Sequence, residues 1–566
     1  MITKRISLFL LLALCSFNIY AEKPIRPQQS AIATAHPLAT QAGELILQQG
    51  GNAFDAAAAI TAALAVVEPY SSGLGGGGFW MLHLADKNKT VFLDGREKAP
   101  LSAHRDMYLD AQGNYIKGSS VNGALAAGIP GTVAAMVKLA ETYGKLTLAD
   151  SLQPAIQYAR EGFKVTKHYR RMIGFRYDTI RQSPAAAAAF LDQNQVPELG
   201  FMIRQPDLAH TLEKIAQQGK AGFYQGEVAK KLVDGVNQAG GHWSLADLSG
   251  YQIVEREPIK FGYGDFTIFS APPPSSGGIA LNAILNMLSN FNMEKMPTSD
   301  RTHLIVEAMR RAYRDRAEFL GDADFVSVPV ARLTSPDYAA GLSVSINPKF
   351  NTPSATLAGY QQKSGGNDTT HFVVLDQQGN SVSATMSINY PFGSGFMPPG
   401  TGILLNDEMD DFAAKPGEPN VYGLVGAEAN SIAPEKRPLS SMSPTYIKTS
   451  KGVALIGTPG GSRIITMVLL GILELEQSIN PDDWVNLPRF HHQYLPDIIQ
   501  YEKNTFSETE IESLKAKGHQ LKQVDNYGNM QALWWDYQSG NVTSASDKRG
   551  EGMARRFKVS FEGQNQ

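Results

Sequence analysis

The sequence predicts an α+β protein in which sheets are sandwiched between helical layers. Three observations carry this. Helical and strand patterns are mixed along the chain rather than strictly alternating. The chain has 566 residues, 43% of them hydrophobic and only 19% charged, enough apolar material for a large core. Neither a fixed-period repeat nor a low-complexity linker interrupts it.

The elements follow in order. Residues 1–21 begin with Lys4 and Arg5, continue through a short apolar run at 6–14, and end on Ala21. Basic, apolar and small, in that order, mark a cleavable secretory leader, too short to span a bilayer. Cys15 is the only cysteine and lies within it, so the mature chain is expected to be exported, periplasmic or secreted, without cysteine and without a membrane anchor. Loss of Lys4 and Arg5 moves the formal charge from −3 to −5. With no basic stripe, the charge argues against nucleic acid as a partner, and none is expected.

Residues 41–67 are alanine-rich and read as two helices broken at 50–52. Residues 132–143 read as a helix ending on a left-handed Gly144, and 281–291 as another helix. In 302–319, Leu304, Ile305, Ala308, Met309, Ala312 and Tyr313 fall on one helical face. The β-branched runs 371–375 and 381–388 flank a turn at 376–380, a hairpin. Residues 453–456 read as a strand, and a glycine turn joins it to a helix over 463–477. The polar stretch 347–368 reads as an exposed connector.

Several common chemical signals fail. The glycine-rich run 72–78 lacks the lysine of a phosphate loop and precedes a strand, so it reads as a tight turn with close backbone packing. His491 and His492 are adjacent and cannot both face one ion, so no metal or other cofactor is expected. No nucleophile elbow of an α/β-hydrolase is present. Three features are left. Asn367, Asp368, Thr369 and Thr370 lie where the connector meets a strand, a polar turn on spacing alone, which does not choose between the two threonines. Gly460 and Gly461 open a helix, where bare N–H groups can turn a packing turn into an anion site. Asp407, Glu408, Asp410 and Asp411 form an acidic run that matches no calcium loop.

Seven short motifs then decide the matter: LDGRE at 93–97, GIPGTV at 128–133, APPPSSGG at 271–278, DTTH at 368–371, GILLN with MDDF across 402–412, KRPLSSMSP at 436–444 and GTPGGSR at 457–463. In this order the chain resembles the γ-glutamyltranspeptidase family along most of its length. The resemblance implies a four-layer αββα sandwich of the N-terminal-nucleophile hydrolase type, made as a precursor that cuts itself between Asp368 and Thr369. A signal peptide at 1–21, a large subunit at 22–368 and a small subunit at 369–566 are the expected products, the last two forming a heterodimer. It also selects Thr369, whose freed α-amine has an ordinary pKa near neutrality and can act as base beside its own hydroxyl.

By the same resemblance, Thr369 is the nucleophile, Ser387 hydrogen-bonds it, and the Gly460 and Gly461 N–H groups face the oxyanion. Arg96, Ser440 and Ser441 would hold a substrate α-carboxylate; Asn389, Glu408 and Asp411 would hold its α-ammonium. Asp407 and Asp410 are left as solvated or structural. Tyr422, in a lid at 415–425, would cover the bound group. The implied substrates are glutathione and other γ-glutamyl compounds, with water, amino acids or peptides as acceptors. Ser387 stands where bacterial members carry threonine, Glu408 where some carry glutamine, and Tyr390 with Pro391 where small hydroxyl residues are expected, altering the pocket rim. Two rivals share the fold: a cephalosporin (glutaryl) acylase-like amidase, and a secreted γ-glutamyl-binding protein without chemistry.

Overall fold

A computed structural model describes residues 24–357, 369–415, 417 and 420–559. The expected leader with Cys15, and Asp368 of the expected cleavage site, lie outside the described residues.

Two antiparallel sheets lie face to face. The first has seven strands in the spatial order Met553–Phe557, Ser30–Thr34, Thr370–Leu375, Ser381–Ser387, Gly77–Leu84, Lys89–Gly95 and Val254–Arg256. The second has six: Val542–Ser546, Gln531–Asp536, Gly452–Gly457, Thr445–Lys448, Phe266–Ser270 and Ile259–Tyr263. Alternate side chains of Thr370–Leu375 explain the layering. Phe372 and Val374 join one apolar cluster with the helices Pro37–Gln48 and Ala53–Val67; Val373 and Leu375 join another with Leu455 and Leu533 of the second sheet. Helices Gly277–Leu288 and Ile464–Leu475 cover the far side of that sheet. The order helix, sheet, sheet, helix is the expected four-layer αββα sandwich.

Sequence chemistry sets the elements near the site. Ala53–Val67 is buried along its whole length, which small alanines permit. Asn52 and Asp55 close a reciprocal capping box at its start, with Asn52 Oδ1 accepting from Asp55 N at 3.1 Å and Asp55 Oδ2 accepting from Asn52 N at 2.8 Å. The hairpin turn is tied by Asp376 Oδ1, which accepts from Gln378 N at 2.9 Å and Asn380 N at 3.0 Å. The 72–78 run is a tight turn: a Cβ on Gly75 would lie 2.1 Å from the Leu404 carbonyl oxygen. That approach lets Asn406 Nδ2 donate to Gly75 O at 2.7 Å, and the acidic run begins at the next residue.

One expectation needs correction. Residues 132–143 form a helix Thr132–Lys138 and then a wider turn, Leu139–Tyr143, and Gly144 is not left-handed, with φ −73°. Glycine is required there because a Cβ would lie 2.1 Å from Asp55 Oδ1. The described part of the connector, 347–357, is mostly exposed, as expected, yet it is anchored at two points. Ser354 is buried, its N–H donating to Asp497 Oδ2 at 2.7 Å, and Thr352 N donates to Glu307 Oε1 at 3.1 Å. Among the described residues, no helix is long and apolar enough to cross a membrane.

Candidate active site

Thr369 is buried and precedes the strand Thr370–Leu375 at the end of the first sheet. The neighbouring threonine is already engaged: Thr370 Oγ1 donates to Glu68 Oε2 at 2.6 Å. Thr369 lines two cavities. One is small, about 20 Å³, and is also lined by Arg96, Ser387, Asn389, Glu408, Asp411, Tyr422, Ser440, Ser441 and Gly461. The other, about 460 Å³, is reached past Gly460. Every site residue expected from the sequence therefore lies around Thr369, except Asp368, which is outside the described residues.

Arg96 directly follows the strand Lys89–Gly95 and is buried. Its Nη1 lies 2.7 Å from Glu408 Oε2 and its Nη2 2.5 Å from Asp411 Oδ2, while Nε donates to Pro438 O at 3.2 Å. The two carboxylates expected to meet an ammonium are thus held by the guanidinium expected to meet a carboxylate. Burial pushes the Glu408 carboxyl well above the usual range, against the pull of Arg96. Glu97, also buried, is pushed up to about 8 by burial. Neither of its carboxylate oxygens has a hydrogen-bond partner among the described residues.

Asp407 and Asp410 are buried, so the solvated alternative is overturned and the structural one stands. Asp407 Oδ1 accepts from Tyr390 N at 2.9 Å. Asp410 accepts from Ser120 Oγ at 2.6 Å and from Val421 N at 2.7 Å, and burial pushes its carboxyl up to about 6. Tyr390 stacks under the Arg176 guanidinium, 5.1 Å from its ring centre, and does not line the small cavity.

Ser387 Oγ accepts from Asn389 N at 2.8 Å, and Asn389 takes φ +71°, a left-handed conformation that asparagine tolerates. Its Nδ2 donates to Asp407 O at 3.0 Å, and its carbonyl accepts from the Tyr422 hydroxyl. Tyr422 is in turn placed by Asn420, whose Oδ1 accepts from Tyr422 N at 3.0 Å while its Nδ2 donates to Asp411 Oδ1 at 2.9 Å. The tyrosine ring lies over the glycine turn, where a Cβ on Gly461 would come within 2.6 Å of it. Gly460 and Gly461 have φ +142° and +55° and lead through Gly461–Arg463 into the helix Ile464–Leu475. Glycine is needed there both for conformation and for room.

Two contributors were not singled out in the sequence. Arg316 Nη2 donates to Ser441 Oγ at 3.2 Å and its Nε to Ser276 Oγ at 3.0 Å, a buried cation behind the serine pair. Glu68 stands behind Thr370. Four arginines within 310–316 were a visible signal for the first; nothing local marked the second. His303, Glu307 and His519 lie close enough to share an ion, yet Glu307 is paired with Arg310 at 3.1 Å and Arg311 at 2.7 Å, a cationic setting unsuited to a metal.

The gamma-glutamyltranspeptidase family model matches residues 39–557. The chain is 43% identical over 512 residues to a glutathione hydrolase proenzyme of Pseudomonas sp. (strain A14), covering 89% of each. It is 41% identical over 536 residues to the glutathione hydrolase proenzyme of Escherichia coli (strain K12), covering 93% of this chain and 91% of that one. Among solved structures it resembles a cephalosporin acylase from Bacillus halodurans with a TM-score of 0.82 at 28% identity, covering 94% of this chain and 96% of the other.

Proposed function

Because the chain belongs to the gamma-glutamyltranspeptidase family, and is a gamma-glutamyltransferase and glutathione hydrolase of the N-terminal-nucleophile fold, we propose that Thr369 is its nucleophile and that it becomes so by self-cleavage. The observation that carries this reading is the convergence on Thr369 of one buried arginine, two carboxylates and a left-handed glycine pair.

In the precursor, the Thr369 hydroxyl attacks the Asp368 carbonyl and the acyl group moves from nitrogen to oxygen. Hydrolysis of that ester frees the α-amine and leaves chains of 22–368 and 369–566, which stay together as a heterodimer. The freed amine then accepts the Thr369 hydroxyl proton as Oγ attacks the substrate γ-carbonyl. Gly460 and Gly461 N–H groups stabilise the oxyanion, and the γ-glutamyl ester passes to water or to an amine.

The cavity of about 20 Å³ is too small for a glutamyl group, so binding exchanges partners. The substrate carboxylate takes Arg96, with Ser440 and Ser441, and the ammonium takes Glu408 and Asp411 in place of the guanidinium. Tyr422 then closes over both. A zwitterion is the one ligand that leaves every member of the ion cluster paired, which favours γ-glutamyl over glutaryl substrates. Asn389 supplies a further acceptor, and Ser387 orients the nucleophile. The leader at 1–21 directs the enzyme to the periplasm or outside the cell, unanchored.

Comparing release from a γ-glutamyl anilide with release from a glutaryl anilide tests substrate choice. At least a tenfold preference for the γ-glutamyl compound is expected; faster glutaryl cleavage contradicts the ion exchange.

A further inference from the structure

One side chain that lines neither cavity beside Thr369 joins the Tyr422 segment to the glycine turn. Gln493, 6% exposed, lies just beyond the short strand Phe490–His491. Its Nε2 donates to the Gly423 carbonyl at 3.2 Å and to the Tyr422 carbonyl at 3.4 Å. Its Oε1 accepts from Ser462 Oγ at 2.7 Å and lies 2.8 Å from His491 Nε2. Carbonyl oxygens only accept, so the NH2 group faces Tyr422 and Gly423, and Oε1 faces the turn. The amide then uses both of its protons and both of its lone pairs.

His491 is set to match. Burial pushes it down to about 3, so the imidazole is neutral and carries one N–H. Facing Oε1, that N–H is at Nε2, and Nδ1 accepts from Thr466 Oγ1 at 2.8 Å. Thr466 belongs to the helix Ile464–Leu475 that follows the glycine turn. On the other side, the Tyr313 hydroxyl of helix Thr298–Phe319 donates to the Ser462 carbonyl. The turn end of Gln493 is thus tied to two helices through short bonds. Its other end rests on two longer bonds to loop carbonyls.

We propose that Gln493 is a positioning residue for the reaction, a latch that returns Tyr422 to its place over the glycine turn each time a γ-glutamyl group has entered. The inference rests on the reading that Tyr422 closes over that group. The cavity of about 20 Å³ cannot admit a glutamyl group while Tyr422 is in place, so the tyrosine must leave and come back. The longer bonds, to Gly423 and Tyr422, are the ones that break. On return, the amide receives these carbonyls at a point fixed by Ser462, the residue after Gly461. The Tyr422 hydroxyl, donating to Asn389 O, places the tip of the ring. Gln493 places its backbone.

Gln493→Glu keeps the shape and an acceptor toward Ser462 and His491, but turns a carboxylate oxygen toward the two loop carbonyls. The test measures kcat and KM for a γ-glutamyl anilide in wild type, Gln493→Glu, Tyr422→Ala and the double variant, together with amide hydrogen exchange over residues 420–425. Gln493→Glu should lower kcat/KM at least tenfold, mostly through KM, and speed exchange of 420–425 at least fivefold. In the Tyr422→Ala background the same change should cost less than twofold, because no ring is left to place. An equal loss in both backgrounds, or unchanged exchange, overturns the latch. If Gln493→Glu does not split into two chains, its exchange is compared with that of unsplit Thr369→Ala, and equal rates overturn the latch. A wild type that neither splits nor releases the anilide refutes the nucleophile instead, and exchange in Gln493→Glu against wild type still decides the latch.

Discussion

Arg96 Nη1 and Glu408 Oε2 meet at 2.7 Å with both side chains 1% exposed, and Asp411 takes the other end of the same guanidinium. Burying this cluster is costly for each charge alone and tolerable only for the set. A planar fork is what lets one cation serve two carboxylates. Arg96→Lys keeps the charge but loses the fork. One charge-assisted bond to Asp411 and the ion pair with Glu408, together on the order of 3 kcal/mol, are at stake. The kcat/KM for a γ-glutamyl anilide should fall at least about 100-fold. A change of less than about threefold, in a variant confirmed by mass to be split, contradicts the role given to Arg96.

Gly461→Ala asks for φ +55° at a residue with a Cβ and places that Cβ 2.6 Å from the Tyr422 ring. The conformation costs about 1–2 kcal/mol, and the ring or the turn must also move. Activity should drop at least tenfold. Gly461→Ala with Tyr422→Ala relieves the clash but not the φ strain, so a full recovery of kcat in the double variant argues against the conformational requirement.

Glu97 gives a pH prediction. Its carboxyl is pushed up to about 8 in the folded chain, mainly by burial, against an ordinary value near 4.5. The folded state therefore holds a proton that the unfolded state gives up. This stabilising contribution is complete below about pH 4.5 and is lost as pH rises through about 8, at up to about 1.4 kcal/mol per pH unit. Glu97→Gln cannot titrate. Its Tm relative to wild type should rise between pH 5 and pH 8; a constant or falling difference contradicts the buried neutral acid.

Much of this architecture was legible in the residues. The break between Pro37–Gln48 and Ala53–Val67, the hairpin of Thr370–Leu375 with Ser381–Ser387, and the glycine turn at 460–461 are local features with local causes, and they stand where the sequence put them. The family motifs added the members of the site. What the sequence concealed depends on distant partners. Asp407 and Asp410 read as either solvated or structural, and only the fold, which buries both, decides between the two. The groups that satisfy Asp410, Ser120 Oγ and Val421 N, come from two separate segments. Gly144 read as a helix cap, whereas its cause is the Asp55 carboxylate on another helix. Arg96 likewise read as a waiting carboxylate receptor. In the folded chain it already holds Asp411, 315 positions away.

The central claim is that Thr369 both cuts the chain and carries the acyl group. The most direct measurement is the intact mass of purified wild type and Thr369→Ala under denaturing conditions. Wild type should give two chains, the smaller beginning at Thr369, and Thr369→Ala a single unsplit chain without activity. A wild type that is intact and active, or a Thr369→Ala variant that still splits at that bond, would contradict the account.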